Sequence, residues 1–197
     1  LGPGDKRYAW IVVNPAGLKK TLSEILTEKE NTVFGTAGTV KVDCGPALPG
    51  VLHALAHEGA HAFDYVSKAT PYVTPWWYDV EMGELPGYHP WGVWDAYNLP
   101  GSDSDFKLRN KLKFYGLGGE RLLKPPDAAE LYSGLAGSPF VSLYGSQNWA
   151  EDFAEQIVYG CLKSRLGRAC VITYPAGEKT GEFVPGRIAD LRAMGIY

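Results

Sequence analysis

The sequence predicts an α+β fold with a small N-terminal mixed sheet, one long apolar helix and a mostly helical C-terminal part. Three observations carry this prediction. Short runs rich in β-branched and aromatic residues come before residue 44, as is typical of strands. Residues 50–68 form an apolar run too long for one strand, and residues 147–166 repeat apolar side chains at helical spacing.

The N-terminal part is expected to alternate strands and helices. YAWIVVN, residues 8–14, is short, aromatic and β-branched, so we predict a buried strand there. Residues 17–30 place leucine and isoleucine at helical spacing with charges on the other face, which predicts an amphipathic helix. Residues 31–43 predict two short strands joined through glycine, and the buried helix over 50–68 follows.

Residues 70–101 are rich in proline and in aromatic side chains. Such a segment cannot form long regular elements, yet it is too aromatic for a solvated linker, so we expect an ordered covering loop or small subdomain. Its tryptophans could form a wall or lid over a cleft, although at least half of them should be ordinary packing. They are Trp76, Trp77, Trp91 and Trp94.

The C-terminal part is predicted to be mostly helical. Residues 102–119 have serine N-cap signals and a glycine stop, so a helix is predicted there. Another short helix is predicted to begin at Pro126 and Asp127 and to end near Gly134. A longer helix is predicted over 147–166. The tail should close with a strand over 169–174 and a helix over 184–195.

Length, composition and charge limit the possible classes. The 197 residues, of which 45% are hydrophobic, suffice for one sizeable core, so we expect a single domain over 1–197. Within it we distinguish a sheet-containing part over 1–68, an aromatic and proline-rich insertion over 69–101, and the helical part over 102–197. A formal net charge of -3 without long same-sign runs favours neither nucleic acid nor an anionic membrane as a partner. No apolar run reaches the roughly 18–20 residues of a membrane span.

The three cysteines, Cys44, Cys161 and Cys170, give a weak indication of an oxidising compartment. Cys161 and Cys170 are close enough in sequence to form a disulfide if the chain turns back between them, and Cys44 would then be unpaired. No pair has the CxxC spacing of a structural zinc site. Residues 1–30 lack a signal-peptide pattern. Because the cysteines lean towards an oxidising compartment, we expect a secreted or periplasmic protein whose export signal has been removed.

The most specific feature of the sequence is the HExxH pattern of residues 57–61. On a helix, His57 and His61 project from one face, where their imidazoles can bind one zinc ion. Glu58 lies beside them, and a carboxylate in this position can remove a proton from a zinc-activated water that attacks a carbonyl. The alternative is a pair of hydrogen-bonded core histidines with a surface glutamate, but the long helix preceded by a sheet favours the metal site.

The other two histidines supply no third ligand by spacing. His53 lies one turn before His57 and could line the same groove, although a packed, hydrogen-bonded histidine is the favoured interpretation. His89, in GYHPWG, could reach a substrate, but a position in a turn is favoured. Because neither has the downstream spacing of the HExxHxxGxxH class, a carboxylate is expected as the third ligand.

Three acidic residues could complete the site. Glu151 and Glu155 stand four residues apart on the predicted helix over 147–166, where one could bind the metal and the other orient a histidine. An exposed carboxylate pair on an amphipathic helix is the alternative. Asp64 shares a helical face with the motif histidines, but it points alongside them rather than across from them, so a supporting or structural role is favoured.

HEGAHAFDY and YGSQNWAEDFAE together resemble the gluzincin metallopeptidases related to anthrax lethal factor and the Pro-Pro endopeptidases. The resemblance implies a zincin-like fold and one Zn²⁺ per chain, bound by His57, His61 and Glu151. It selects Glu151 as the third ligand because a tyrosine, Tyr144, precedes it by seven residues. The resemblance further implies that Glu58 is the general base and that the Tyr144 phenol stabilises the oxyanion.

The resemblance covers about a third of the chain and leaves proline specificity open, because 89 residues separate His61 from Glu151, more than expected in the compact Pro-Pro endopeptidases. We expect a zinc-dependent endopeptidase that hydrolyses a protein or peptide substrate through a metal-activated water. One alternative is an inactive binding module with the same fold. The other is a zinc hydrolase of non-protein amide bonds, such as those of cell-wall material.

Overall fold

The structure is a computed structural model that describes residues 8–35, 38–73, 80–81, 92–121 and 123–185. Over these residues the fold is of the predicted mixed α+β kind, with small sheets. The helices are α1 (Leu22–Asn31), α2 (Val51–Ser67), α3 (Ala128–Gly137) and α4 (Trp149–Leu166). The strands are β1 (Lys41–Asp43), β2 (Tyr72–Val73), β3 (Val80–Glu81), β4 (Trp94–Ala96), β5 (Leu99–Pro100), β6 (Val171–Ala176) and β7 (Lys179–Phe183). None of these helices combines the length and the apolar character that crossing a membrane requires.

The largest sheet among the described residues has the order β1-β6-β7 and is antiparallel throughout. Its register pairs Val42 with Ile172, and both side chains are buried. Strand β1 also docks on α1, because the Val42 N–H donates a hydrogen bond to Thr27 Oγ1 at 2.9 Å. Two further antiparallel pairs, β2-β3 and β4-β5, are two-stranded.

One main core joins α1, α3, α4 and the inner face of the β1-β6-β7 sheet. It is aromatic as well as aliphatic, and its largest fully buried side chains include Trp94, Trp149, Tyr132, Phe34 and Phe140. Trp94 therefore belongs to the core and not to a lid. Its indole Nε1 donates a hydrogen bond to Asp152 Oδ2 at 3.1 Å, which ties the end of the aromatic insertion to α4.

The N-terminal strand predictions are largely wrong. Residues 8–14 have no regular structure, and the side chains of Trp10 and Val12 are 88% and 93% exposed. Strand-forming composition needs a neighbouring strand to pair with, and no described strand pairs with this segment. Of the two strands predicted over 31–43 only β1 forms, while Phe34 makes a single bridge to Leu123.

The predicted helix over 102–119 does not form. The structure has only two 3-10 turns there, Arg109–Lys111 and Phe114–Gly116. Leu108 and Tyr115 take left-handed conformations, with φ of 71° and 55°, which interrupt a right-handed helix. The buried hydrophobic side chains, Leu112 and Phe114, are two residues apart, so they cannot share one helical face.

The helix predictions that fall on the described residues before β6 are otherwise confirmed, with shifted ends. The segment predicted as a helix over 17–30 is divided into a 3-10 turn at Pro15–Lys19 and α1, because Thr21 between them is extended and caps α1. The predicted helices over 50–68 and 147–166 correspond to α2 and α4. The short helix predicted from Pro126 to about Gly134 corresponds to a 3-10 turn followed by α3, which continues to Gly137. The predicted strand over 169–174 forms as β6 two residues later.

Helix α2 packs along α4, but its buried face is polar. The buried side chains are those of His53, His57, Ala60 and Asp64. The larger hydrophobic side chains of the same helix are mostly exposed, so the expectation of a buried apolar helix is wrong for them: Leu52, Leu55, Phe63 and Val66 are 37–50% exposed. A helix that buries its histidines has a reason other than hydrophobic burial for its orientation.

The disulfide joins Cys44 to Cys170, and Cys161 is free. The prediction of a Cys161–Cys170 bridge is therefore wrong. The pairing follows from the register of the sheet, which matches Asp43 with Val171. Cys44 directly follows β1 and Cys170 directly precedes β6, so the two cysteines lie opposite each other. The two Cα atoms are 4.0 Å apart, whereas Cys161 lies within α4.

Two expectations fall outside the described residues. Most of the aromatic insertion, with Trp76, Trp77, Trp91 and His89, belongs to residues 74–79 and 82–91. The predicted helix over 184–195 lies almost entirely beyond residue 185. The wall or lid of tryptophans and the role of His89 therefore stay predictions.

Candidate metal centre

The buried face of α2 carries the two histidines of the HExxH pattern. The Nε2 atoms of His57 and His61 lie 3.2 Å apart. Their rings meet edge to face, with centroids 4.7 Å from each other. Two ring nitrogens one helical turn apart therefore converge on one place beside α4.

Glu151 reaches the same place from the first turn of α4. Asn148 caps this helix, because its side-chain oxygen accepts a hydrogen bond from the Glu151 N–H at 3.0 Å and so fixes the backbone below the carboxylate. Glu151 Oε2 lies 3.1 Å from His57 Nε2 and 3.4 Å from His61 Nε2. This oxygen is buried and has no hydrogen bond with the described residues.

The three donor atoms of His57, His61 and Glu151 form a triangle that could hold a metal ion. Its sides are 3.1, 3.2 and 3.4 Å. Tetrahedral zinc with ligands at about 2.0–2.1 Å places those ligands roughly 3.3–3.4 Å apart. The spacing of the donors and the buried, unbonded carboxylate oxygen therefore both fit a small divalent cation.

Glu155, one turn after Glu151, orients His57 through Nδ1, the ring nitrogen that does not face Glu151. His57 Nδ1 lies 3.0 Å from Glu155 Oε1. An ionised carboxylate can only accept, so Nδ1 carries a proton and Nε2 is the nitrogen that can offer a lone pair to a metal ion when the ring is neutral. The Ser142 hydroxyl donates to Glu155 Oε2 at 2.7 Å, and Lys29 Nζ donates to Oε1 at 2.6 Å. The carboxylate is thus held by three separate elements of the chain.

The electrostatics of the centre favour a cation. Burial would lower the pKa of His57, but Glu151 and Glu155 outweigh it and raise that pKa to about 9. Burial would raise the pKa of Glu151, yet the two adjacent imidazoles hold it at about 2. Both carboxylates remain charged, and the raised pKa of His57 means that they favour positive charge on its ring, which a divalent cation in place of the proton would also supply.

A second group of side chains, His53, His57 and Glu155, could also hold a metal ion. It lies deeper, because all three residues are buried. Lys29 Nζ is already there, 2.6 Å from Glu155 Oε1 and 3.4 Å from His53 Nε2. We call this set the inner group, and His57, His61 and Glu151 the outer group. The two groups share His57.

Lys29 and Ser142 are the residues of this network that sequence reasoning misses. The sequence places the charges of the first helix on its outer face, yet Lys29 and Glu30 are only 2% and 1% exposed. A signal for this exists, because positions 22, 26, 29 and 30 continue one helical stripe and the first two are buried leucines. Ser142 lies in a segment without regular structure and offers no comparable signal.

Tyr144 lies beside the outer group, and Glu58 follows His57 in α2. The Tyr144 ring lies 5.7 Å from the His57 ring, and Lys29 Nζ lies 4.4 Å from the Tyr144 ring centre on one face. Burial, followed by the charges of Glu151 and other nearby carboxylates including Glu58, raises the pKa of Tyr144, so the phenol stays protonated. Glu58 itself is exposed, on the turn of α2 between the two motif histidines.

Two aromatic side chains beside Tyr144, those of Phe114 and Tyr115, come from residues 102–119, the segment predicted to be a helix. The Phe114 ring packs edge to face on Tyr144 at 4.8 Å, and the Tyr115 ring lies 6.2 Å from it. Tyr115 is 54% exposed and has a left-handed backbone, with φ of 55°. A non-glycine residue in that conformation costs free energy, as is often found beside functional sites.

The remaining sequence candidates are less central. Asp64 belongs to neither group, because both of its carboxylate oxygens accept hydrogen bonds from Thr70, at 2.6 and 2.7 Å. It closes the end of α2 and fits the structural role that the sequence favours. His53 stacks on His57, with ring centroids 5.5 Å apart, and is a packed, hydrogen-bonded histidine as favoured.

Comparisons with known proteins do not identify a family. No protein-family model, curated protein or solved structure matches this chain. A functional assignment therefore rests on the motif and on the geometry of the candidate metal centre, without support from a relative.

Proposed function

We propose that this chain is a zinc-dependent endopeptidase of the gluzincin type with a zincin-like fold. The convergence of His57 Nε2, His61 Nε2 and Glu151 Oε2 at tetrahedral spacing is the observation that carries the proposal, and Glu58 follows His57 directly in the chain. Glu151 Oε2 is buried without a hydrogen bond to the described residues although two histidine nitrogens lie within 3.4 Å of it, which supports a shared metal ion over ordinary core hydrogen bonds.

In this proposal the outer group holds one zinc ion. Two imidazoles and one carboxylate are the donor set of many catalytic zinc sites, which leave the fourth position open. Zinc bound there would supply a Lewis acid that activates water and polarises a carbonyl. Glu155 and Ser142 keep His57 in the required tautomer through the hydrogen bonds described above.

Glu58 acts as the general base and then as the general acid. Its exposed carboxylate takes the proton of the attacking water and afterwards delivers it to the nitrogen of the leaving amine. Tyr144 donates its phenol proton in a hydrogen bond to the oxygen that becomes negative in the transition state. The raised pKa of Tyr144 supports this role, because a donor must keep its proton.

The substrate is a protein or peptide, and we propose that the enzyme acts outside the cytoplasm, secreted or in a periplasm. The Cys44–Cys170 disulfide supports that location, since disulfides persist in oxidising compartments.

Metal content and peptide cleavage test the proposal together. We expect about one zinc per chain in the purified protein, reduced by Glu151→Ala and unchanged by Glu178→Ala, an exposed carboxylate in the β6–β7 turn. A mixed peptide library should be cleaved by the wild type and by Glu178→Ala, and Glu58→Gln should bind zinc without cleaving.

Three outcomes would contradict the proposal. Zinc retained at full affinity by Glu151→Ala would reject this residue as a ligand. A zinc-loaded wild type that cleaves no peptide would favour the inactive binding module. Cleavage of purified peptidoglycan with intact peptides would instead favour an amidase of cell-wall material.

A further inference from the structure

The two groups that could hold a metal share one imidazole. His57 offers Nε2 to the outer group, and its Nδ1 faces Glu155 in the inner group. If both groups bound metal, both nitrogens of the ring would be ligands and Nδ1 would have to release its proton. As long as Nδ1 keeps its proton, His57 can be a ligand in only one of the two groups, so a feature of the fold must select the group that binds the metal ion.

Lys29 occupies the inner group. Its Nζ donates to Glu155 Oε1 at 2.6 Å, lies 3.4 Å from His53 Nε2 and stands over the Tyr144 ring at 4.4 Å. The side chains of Lys29 and Glu155 are 2% and 0% exposed, so water screens neither charge. The ammonium thus takes the place that a cation would need.

Charge makes this occupation exclusive. Glu155 is fully buried and needs a cation beside it, and Lys29 meets that need. A divalent ion in the same group would lie within a few ångströms of the ammonium, and like charges repel strongly at this separation in a buried site. Removal of the ammonium would leave a buried carboxylate with two imidazoles, which is a set of ligands for zinc.

We propose that Lys29 is the resident cation of the inner group, where it excludes metal and directs zinc to His57, His61 and Glu151 alone. Lys29 is in this sense a positioning residue, because it also keeps the Glu155 carboxylate in place as the acceptor for His57 Nδ1. The inference rests on the proposed function insofar as it takes the outer group as the metal site.

Cobalt titration followed by visible absorption tests the inference, because Co²⁺ replaces Zn²⁺ in such donor sets and reports its own coordination. The wild type and Lys29→Arg should bind one equivalent. Lys29→Met should bind a second equivalent, and adding His53→Ala to it should remove that second equivalent. A Lys29→Met protein that binds one equivalent with the affinity of the wild type would overturn the inference.

A matched pair on α2 tests the inference without removing a buried charge. His53→Ala with Lys29 in place should leave the stoichiometry at one and change the Co²⁺ affinity less than about threefold, because the inner group is not used. His61→Ala should lose more than about 100-fold in affinity, since it removes a ligand rather than a supporting contact. Comparable losses in both variants would reject the role of Lys29, even if Lys29→Met does not fold.

These results separate the inference from the proposed function. A wild type that binds no Co²⁺, or that keeps its affinity in Glu151→Ala, would contradict the outer group as the metal site whatever the Lys29 variants do. Binding of one equivalent that depends on Glu151, together with a similar loss for His53→Ala, would contradict the inference alone.

Discussion

The Glu155 carboxylate lies 3.0 Å from Nδ1 of His57, a residue 98 positions earlier in the chain. This hydrogen bond joins α4 to α2 at the level of the candidate metal centre. It also orients the imidazole, because a ring whose Nδ1 donates to a carboxylate presents Nε2 to Glu151. The metal affinity of the centre should therefore depend on a residue that is not itself a ligand of the outer group.

Glu155→Gln should weaken zinc binding by about 10–100-fold. The amide can still accept from His57 through its oxygen, but it lacks the charge that balances Lys29. Competition with a chromophoric chelator would measure the affinity, and Glu178→Gln in the exposed β6–β7 turn is the matched control. An unchanged affinity in Glu155→Gln would show that the orientation of His57 does not depend on this carboxylate.

Tyr144→Phe should lower kcat by roughly 100-fold while zinc content stays at the wild-type level. The phenyl ring preserves the packing on Phe114 and His57, so only the hydroxyl is lost. Cleavage of a fluorogenic peptide selected from the library would give kcat and KM separately. Tyr65→Phe on the exposed side of α2 is the control, and equal activity of the two variants would reject the phenol as a transition-state donor.

Glu30→Gln should flatten the dependence of stability on pH. Burial raises the pKa of Glu30 to about 7 in the folded protein, although Tyr132 and Lys29 oppose this shift. Because the folded pKa lies above the unfolded one, the stability contributed by the protonated carboxyl is present below about pH 4.5 and is lost as the pH rises through 7. At pH 8 the difference amounts to at most roughly 3 kcal/mol.

Chemical denaturation of wild type and Glu30→Gln between pH 5 and 8 would measure this dependence. The wild type should lose free energy of unfolding relative to the variant across this window. Glu182→Gln, an exposed carboxylate on β7, should follow the wild type. Parallel curves for wild type and Glu30→Gln would mean that the Glu30 carboxyl titrates at its ordinary pKa.

Removal of the disulfide should lower the free energy of unfolding by roughly 4 kcal/mol, because it joins residues 126 positions apart and so restricts the unfolded chain strongly. The double variant Cys44→Ser/Cys170→Ser would show this loss in a denaturant titration. Cys161→Ser should leave stability within about 0.5 kcal/mol of the wild type, because Cys161 is free and half-buried. A large loss in Cys161→Ser alone would contradict the observed pairing.

The sequence predicts best where the pattern is local. HExxH and the glutamate pair of α4 are spaced by the helix itself, so knowing the helix is enough to place each pair of side chains on one face. What a local pattern cannot supply is the meeting of α2 with α4, which brings Glu151 to His57. The residues alone offer either Glu151 or Glu155 as the third ligand, and only the resemblance selects Glu151.

The failures of prediction have a common physical cause, which is dependence on distant partners. Residues 8–14 have the composition of a strand but no described strand pairs with them. Cys44 and Cys170 come together only through the register of β1 and β6. Lys29 is buried because Glu155, on another helix, balances its charge. In each case the deciding residue is far away in the sequence.

The Cys44–Cys170 bond makes a covalent ring of the chain between these residues, and the outer group, Glu58 and Tyr144 all lie inside that ring. A single cut anywhere within it would open the ring without releasing a fragment. For a protein that we propose to be a peptidase, self-cleavage in an exposed loop would thus leave α2 and α4 attached to one another. Loss of the fragment would require reduction as well as cleavage.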